Sequence, residues 1–535
     1  MILRKLIALF TALLLCVALP AFAQEEKTVT LVESWDFSSG FYPVMSPASA
    51  TNNYGITYWS HNFYDTLVTY DQNGEVIPSL AEKWEISEDG MTYTFTLRED
   101  VKFSDGTPLT AEQVKTSILA AAHNLGSFNG SYGKLTTLVE SMEALDDLTL
   151  RMQLTQPYYG ALNDLTMGNP LSIVGTAAFN EDLSLSDLAK TQTVGTGPYM
   201  YMGETDGTSY TFVRNPYYWG ETPNADRFVI KVITDNDAKV LALRSGEIDA
   251  VLGSTRLSYD AYGELDQTSG FGVATDAKVS MTRYLGFNLS AAPFDDVRVR
   301  QAVNYALDRE LLCEAVFQGI EQSAYTLLSA EKPYCNVEVT TYAHDIEKAK
   351  ALMEEAGWVD LDGDGVREKD GVRLEMPLTY MLEGGSVGDA LMAIAAQLSE
   401  IGFQITPSAT DMMTWYGLLL SGEYQITFYS TYGGAFDPFA LMTNINPDVS
   451  ADPIMVQVAS VLEGGNALIL ELDATASQER VQEIYTELLG TIADQAVVAP
   501  ISYTYEFAAW NESVIETYAF SPDSHYVNVA NIDVK

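Results

Sequence analysis

The chain of 535 residues is predicted to fold as an α/β protein. Three observations carry that reading. Segments with two-residue apolar alternation and segments with helical apolar spacing succeed one another along the chain, as expected of mixed strand and helix layers. No short repeat, low-complexity tract or proline-rich linker interrupts residues 24–535, so the domains are interleaved rather than strung out. The 512 residues after a leader-like start are enough for two to four domains with sizeable cores.

The elements follow in order. Residues 1–23 are expected to be a signal peptide: Arg4 and Lys5 are followed by an apolar run from Leu6 to Leu19, then by Ala21-Phe22-Ala23. A lipid anchor through Cys16 is the less favoured alternative, because Leu15 stands where lipidation signals carry a small residue. Tyr93, Phe95 and Leu97 alternate with threonines, the period of a half-buried strand. Asp105-Gly106-Thr107-Pro108 is a turn, and Thr110 with Gln113 forms a capping box for the next helix. Asp345 caps a helix that buries Ala349, Leu352 and Ala356 and stops at Gly357. Val387, Leu391, Ile394 and Leu398 form another helical stripe, closed by Gly402. Strands are expected at 403–405 and 424–429.

Composition narrows the function. The formal charge of −44 repels nucleic acid and anionic lipid, so neither is an expected partner. Cys313 and Cys335 lie outside any redox motif, and an oxidising compartment leaves a bridge between them open. His61, His123, His344 and His525 are scattered without metal-ligand spacing, so no metal or cofactor is expected. Asp360-Leu361-Asp362-Gly363-Asp364-Gly365 opens like a calcium loop. Its twelfth position is Gly371 rather than a bidentate glutamate, so a solvated turn is expected. No Gly-x-Ser-x-Gly elbow, His-Glu-x-x-His, phosphate loop or zinc cysteine spacing is present, and a non-catalytic protein is expected.

Six blocks carry a family resemblance. They are Pro78-Ser79-Leu80-Ala81-Glu82-Lys83-Trp84 through Val101-Lys102-Phe103-Ser104-Asp105-Gly106; Gly195-Thr196-Gly197-Pro198-Tyr199 with Arg214-Asn215-Pro216-Tyr217-Tyr218-Trp219; Ser245-Gly246-Glu247-Ile248-Asp249; Phe294-Asp295-Asp296-Val297-Arg298; Asn304-Tyr305-Ala306-Leu307-Asp308; and Ala349-Lys350-Ala351-Leu352 through Ala356-Gly357-Trp358. In this order they resemble the peptide/nickel class, family 5, of ABC-transporter solute-binding proteins. Most of each block has a structural reason: the glycines of Gly195-Thr196-Gly197 are expected to permit turns, and Trp84 and Trp219 to pack under loops.

The resemblance implies a two-lobed periplasmic-binding-protein-like clamp (type II, cluster C) with an extra subdomain in the first lobe. The first lobe would comprise 24–281 plus 508–535, with the insert at about 66–200, and the second 282–507. It also implies an extracytoplasmic receptor: a monomer that closes on a small peptide or peptide-like solute and delivers it to a permease homodimer or heterodimer with its ATPases. A nickel or other metal-chelate solute is the alternative, and a peptide-sensing surface receptor on the same fold is a second one.

By similarity, three aromatic-rich segments line the cleft, supplying Asn53, Tyr54 and Thr57, then Trp415 and Tyr416, then Tyr432, Gly434, Phe436 and Asp437. Stacking and apolar contact with few polar fixings suit a small organic solute. The resemblance divides at the third segment. Peptide binders of the family place an aspartate, the acceptor of the peptide ammonium group, where this chain has Gly434. The nickel branch uses first-lobe arginines and a later histidine, yet no arginine separates Arg98 from Arg151 or Arg151 from Arg214, and His525 alone follows Asp437.

Overall fold

The computed structural model describes residues 26–44, 54–130, 133–205, 207–253, 256–382, 387–432, 436, 438–448, 450, 452–464 and 466–535. The signal-peptide and Cys16 readings therefore lie outside the described residues. No helix among the described residues is long and apolar enough to cross a membrane.

The first lobe is built on a sheet in which Thr28–Glu33 runs parallel to Arg227–Val232. Ser209–Arg214 and Tyr199–Thr205 continue that sheet antiparallel. Its buried face is aromatic: Phe212 stacks on Phe228 at 4.7 Å and on Phe63 at 4.8 Å. Each such ring removed from water contributes roughly 1.5–3 kcal/mol. Between these strands a second sheet is inserted, in the order Ala81–Ile86, Thr92–Leu97, Thr149–Leu154, Val139–Ala144. Thr92–Leu97 buries Tyr93, Phe95 and Leu97, as the alternation predicts. Helix Ala111–Leu125 begins at Thr110, whose Oγ1 accepts from Gln113 N at 3.3 Å.

The second lobe holds a six-stranded mixed sheet ordered Gln322–Ser323, Val498–Tyr503, Thr282–Phe287, Ile426–Ser430, Glu375–Met381, Gln404–Thr410. The stripe of Val387, Leu391, Ile394 and Leu398 is buried on helix Val387–Ser399, and Gly402 follows at φ +91°. Asp345 caps helix Ile346–Glu355 by accepting from Lys348 N. The family blocks here are structural: Arg300, itself buried, donates to the carbonyls of Phe294 and Gln495.

Two segments pass between the lobes, and they are bonded to each other. Phe271–Thr275 pairs with Phe507–Asn511, and Thr282–Phe287 pairs with Val498–Tyr503, both antiparallel. Between the two ladders Asp276 N donates to Glu506 O, Ser280 N to Thr504 O, and Thr504 N to Met281 O. The register slips between Arg283 and Tyr284, a bulge at the crossing.

One expectation is corrected, one is extended and one open question is resolved. Gly195 and Gly197 are not among the positive-φ glycines. They are small because the chain passes close by: a Cβ on Gly195 would sit 2.0 Å from Phe63 O, and one on Gly197 2.5 Å from Phe63 C. Trp219 does more than pack under a loop, since its Nε1 donates to Asp65 at 2.8 Å and Arg98 lies 4.7 Å over its ring. Cys313 and Cys335 are both free, buried thiols.

Candidate ligand-binding site

The segment 426–432 builds one wall of the candidate site. Strand Ile426–Ser430 is central in the second-lobe sheet, and Thr431 extends it by exchanging two hydrogen bonds with Thr282: Thr431 N donates to Thr282 O, and Thr282 N to Thr431 Oγ1. This fixes Tyr432 at the point where the chain leaves the sheet. Helix Met412–Ser421, capped by Asp411, lays Trp415 against the same strand. Its indole stacks on Tyr429 at 5.0 Å and donates from Nε1 to Thr427 Oγ1 at 3.0 Å.

Trp415, Tyr416 and Tyr432 are thereby brought to one apolar cluster with Tyr284 and Tyr429. Trp415 is buried within it, whereas Tyr416 and Tyr432 are half-buried at its edge. Phe436 goes elsewhere. It packs on Tyr70 at 5.3 Å and against Val76, and Lys278 Nζ stands 5.8 Å over its ring. A Cβ on Gly74 would strike the Phe436 ring at 2.4 Å, so this second-lobe side chain reaches the hairpin of the inserted subdomain. Thr57 is half-buried on first-lobe helix Tyr54–Trp59, where the neighbouring Tyr58 ring lies 4.6 Å from Arg256. Asn53, Gly434 and Asp437 lie outside the described residues, and Tyr54 is described in its backbone alone.

Sequence reasoning missed the polar group beneath this wall. Asp452 is buried, and its Oδ1 accepts from Ile454 N and Met455 N at 2.7 and 2.9 Å. Burial holds its carboxyl above the usual range, against the pull of those backbone donors. Its Oδ2 is buried together with the hydroxyls of Tyr284 and Tyr432, and the Tyr432 hydroxyl bears on the Asp452 carboxyl. Burial first, and the nearby Asp452 charge second, push both phenols well above their ordinary value. Asp452 lies 20 positions beyond Tyr432 in a stretch with no motif, so no local signal announces it.

Elsewhere the aspartates at 360, 362 and 364 are exposed and gather their oxygens within 4.8 Å. Asp360 accepts from Gly363 N and Gly365 N, and Arg373 pairs with Asp364 and Asp362. The turn thus carries its own counter-charge. A cavity of about 250 Å³ opens in the first lobe among His61, Asp65, Thr166, Tyr218, Asp523 and Tyr526. Among the described residues, none of the three aromatic segments lines it.

Trp415, Tyr416 and Tyr432 thus share one apolar cluster above Asp452, while Phe436 packs on the hairpin at 68–78. Comparison with known proteins identifies the family. Residues 75–451 match the model for bacterial extracellular solute-binding proteins, family 5 (middle), and the chain belongs to that family. It is 30% identical over 441 residues to the nickel-binding periplasmic protein of Escherichia coli (strain K12), covering 82% of this chain and 83% of that one. The dipeptide-binding protein of the same organism is 31% identical over 325 residues, covering 55% of this chain and 57% of the other. The crystal structure of NikA from Brucella suis in complex with Fe(III)-EDTA superposes with a TM-score of 0.84 at 26% identity, covering 95% of this chain and all of that one. The fold is accordingly a two-lobed clamp, and the protein is a solute-binding component of ABC import.

Proposed function

We propose that this protein is a non-catalytic extracytoplasmic receptor that captures a small peptide or peptide-like solute by lobe closure and passes it to a permease powered by separate ATPases. The lobes are 24–281 with 508–535, and 282–507; residues 1–23 direct export, and the released chain acts as a monomer. The observation that carries this reading is the reach of Phe436 to Tyr70 and Gly74, beside segments that cross in a bonded pair. A solute that touches both walls binds the closed form alone and shifts the population toward it.

The buried carboxyl of Asp452 beneath Tyr284 and Tyr432 supports a solute that brings N–H donors. An anionic chelate would meet a carboxyl there rather than a cation. A metal-chelate solute remains the second reading, favoured by the 30% identity to the nickel-binding relative.

Mass spectrometry of the solute retained through non-denaturing purification separates the two, since peptides and metal complexes differ in mass and isotope pattern. X-ray scattering then tests the clamp: removing the solute should enlarge the radius of gyration. Identical scattering with and without bound solute would sink the closure mechanism.

A further inference from the structure

We propose that Lys134 and Asp473 form a closure latch, a charge pair buried only when the inserted subdomain and the second lobe meet; this rests on the clamp reading. The pair joins residues 339 positions apart, and its side chains are 10% and 5% exposed. Lys134 opens the short helix Leu135–Leu138 in the insert, and Asp473 follows helix Ala467–Leu472 in the second lobe. The insert also supplies Gln156, whose Nε2 donates to Asp473 O at 2.8 Å. From the second lobe, Asn446 Nδ2 donates to Asp473 Oδ2 at 3.0 Å. Asp473 is therefore held ready on its own lobe, and the insert brings the cation and one more donor.

Beside the pair, Tyr159 of the insert shares a 3.0 Å hydroxyl contact with Tyr485 of the second lobe. Its ring meets Phe439 edge-on at 5.4 Å. Tyr159 packs against the main cores of both lobes. The seam adjoins the cluster that holds Trp415 and Tyr429, but the hydrogen bonds of Lys134 and Asp473 go to Gln156, Asn446 and each other, so the pair acts on lobe geometry rather than on the solute.

The physics of a buried pair gives the latch its sharpness. An intact pair roughly balances its desolvation cost, but removing one partner leaves an uncompensated charge in a dry place. In the open form both groups face water and that penalty vanishes. Asp473→Asn therefore raises the free energy of the closed form alone. Replacing both by apolar groups, Lys134→Met with Asp473→Leu, removes the stranded charge and restores closure.

The test uses the full chain with spin labels at Glu143→Cys in the insert and Glu463→Cys in the second lobe. Both positions are exposed, while Cys313 and Cys335 are buried. Distance distributions are measured on protein stripped of co-purifying solute, then with a pool of synthetic di- to pentapeptides, then with nickel(II) and L-histidine. We expect Asp473→Asn to lower the closed-to-open ratio by more than about tenfold, and the double apolar variant to return it to within about threefold of the parent. The melting temperature of the stripped protein should stay unchanged in both. Single variants that melt early while keeping the parental distances would show a permanent seam and overturn the latch. Closure that is equal in all variants would overturn it too and leave the clamp standing. One unchanging distance across every sample, with solute bound, would overturn both.

Discussion

Glu321 offers the most direct probe of the crossing region. Its side chain is fully buried, and three groups converge on it: Arg283 Nε at 2.9 Å on Oε1, the Tyr259 hydroxyl on the same oxygen, and the Ser502 hydroxyl on Oε2. Arg283 and Ser502 sit on the two paired crossing strands, and Tyr259 comes from helix Tyr259–Asp266 of the first lobe. Glu321→Gln keeps the shape. The amide oxygen still accepts from Tyr259 and Arg283, and Ser502 can turn its hydroxyl to accept from the new NH₂.

What is lost is the charge opposite a guanidinium whose side chain is 13% exposed. Breaking a buried pair costs about 3–5 kcal/mol, and this residual exposure argues for about 3. For a lobe of about 230 residues the unfolding entropy is near 0.5 kcal/mol/K, so the transition of the second lobe should fall by about 6 °C. Calorimetry on the solute-free protein reads this directly. The double variant Glu321→Gln with Arg283→Gln should lose less than the sum of the two single ones, because the two side chains share one interaction. A shift below about 1 °C, or a double variant worse than the sum of the two single ones, would refute the reasoning.

Two further outcomes are expected. His61 stacks on Tyr526 at 3.9 Å, and burial lowers its pKa to about 4 against the pull of Asp523. The unfolded chain then binds the extra proton first, so stability is complete above pH 6.5 and declines as the pH falls toward 4, by at most about 3 kcal/mol. Thermal melts of the protein and of His61→Gln should diverge across that window, with the variant flatter; parallel curves would remove His61 as the cause. Burial also raises the thiols of Cys313 and Cys335 to about 12. A thiol reagent at pH 8 should therefore leave Cys313 and Cys335 unlabelled in the folded protein and label both in denaturant, whereas neither labelled in denaturant would mean a bridge.

Much of the fold is legible in the sequence because its signals are local. The threonine alternation at 92–97, the caps at Thr110 and Asp345 and the stop at Gly402 each depend on a few neighbouring residues, and each is where the pattern puts it. The functional geometry is legible only in part. An aromatic residue near a cleft and one in a core look alike in sequence, so the packed cluster around Trp415 and the bond from its indole N–H to Thr427 have no signature of their own there. The glycines at 195 and 197 read as turn formers because their true constraint, the backbone of Phe63, is more than 130 positions away. Lys134 with Asp473, and Glu321 with Tyr259 and Ser502, have no local signature for the same reason: each pairing is made by the fold.

The hydrogen bonds that join residues 276–281 to 504–506 also limit how the molecule can move. Two independent tethers would let one half swivel and slide over the other. A bonded pair behaves like the knuckle of a door: it bends readily about a line across its width and resists twist and shear. If the protein works as the proposed clamp, opening and shutting would be confined to a single arc, Phe436 would return to the same notch beside Gly74, and a transporter would meet one shut outline whichever guest is inside.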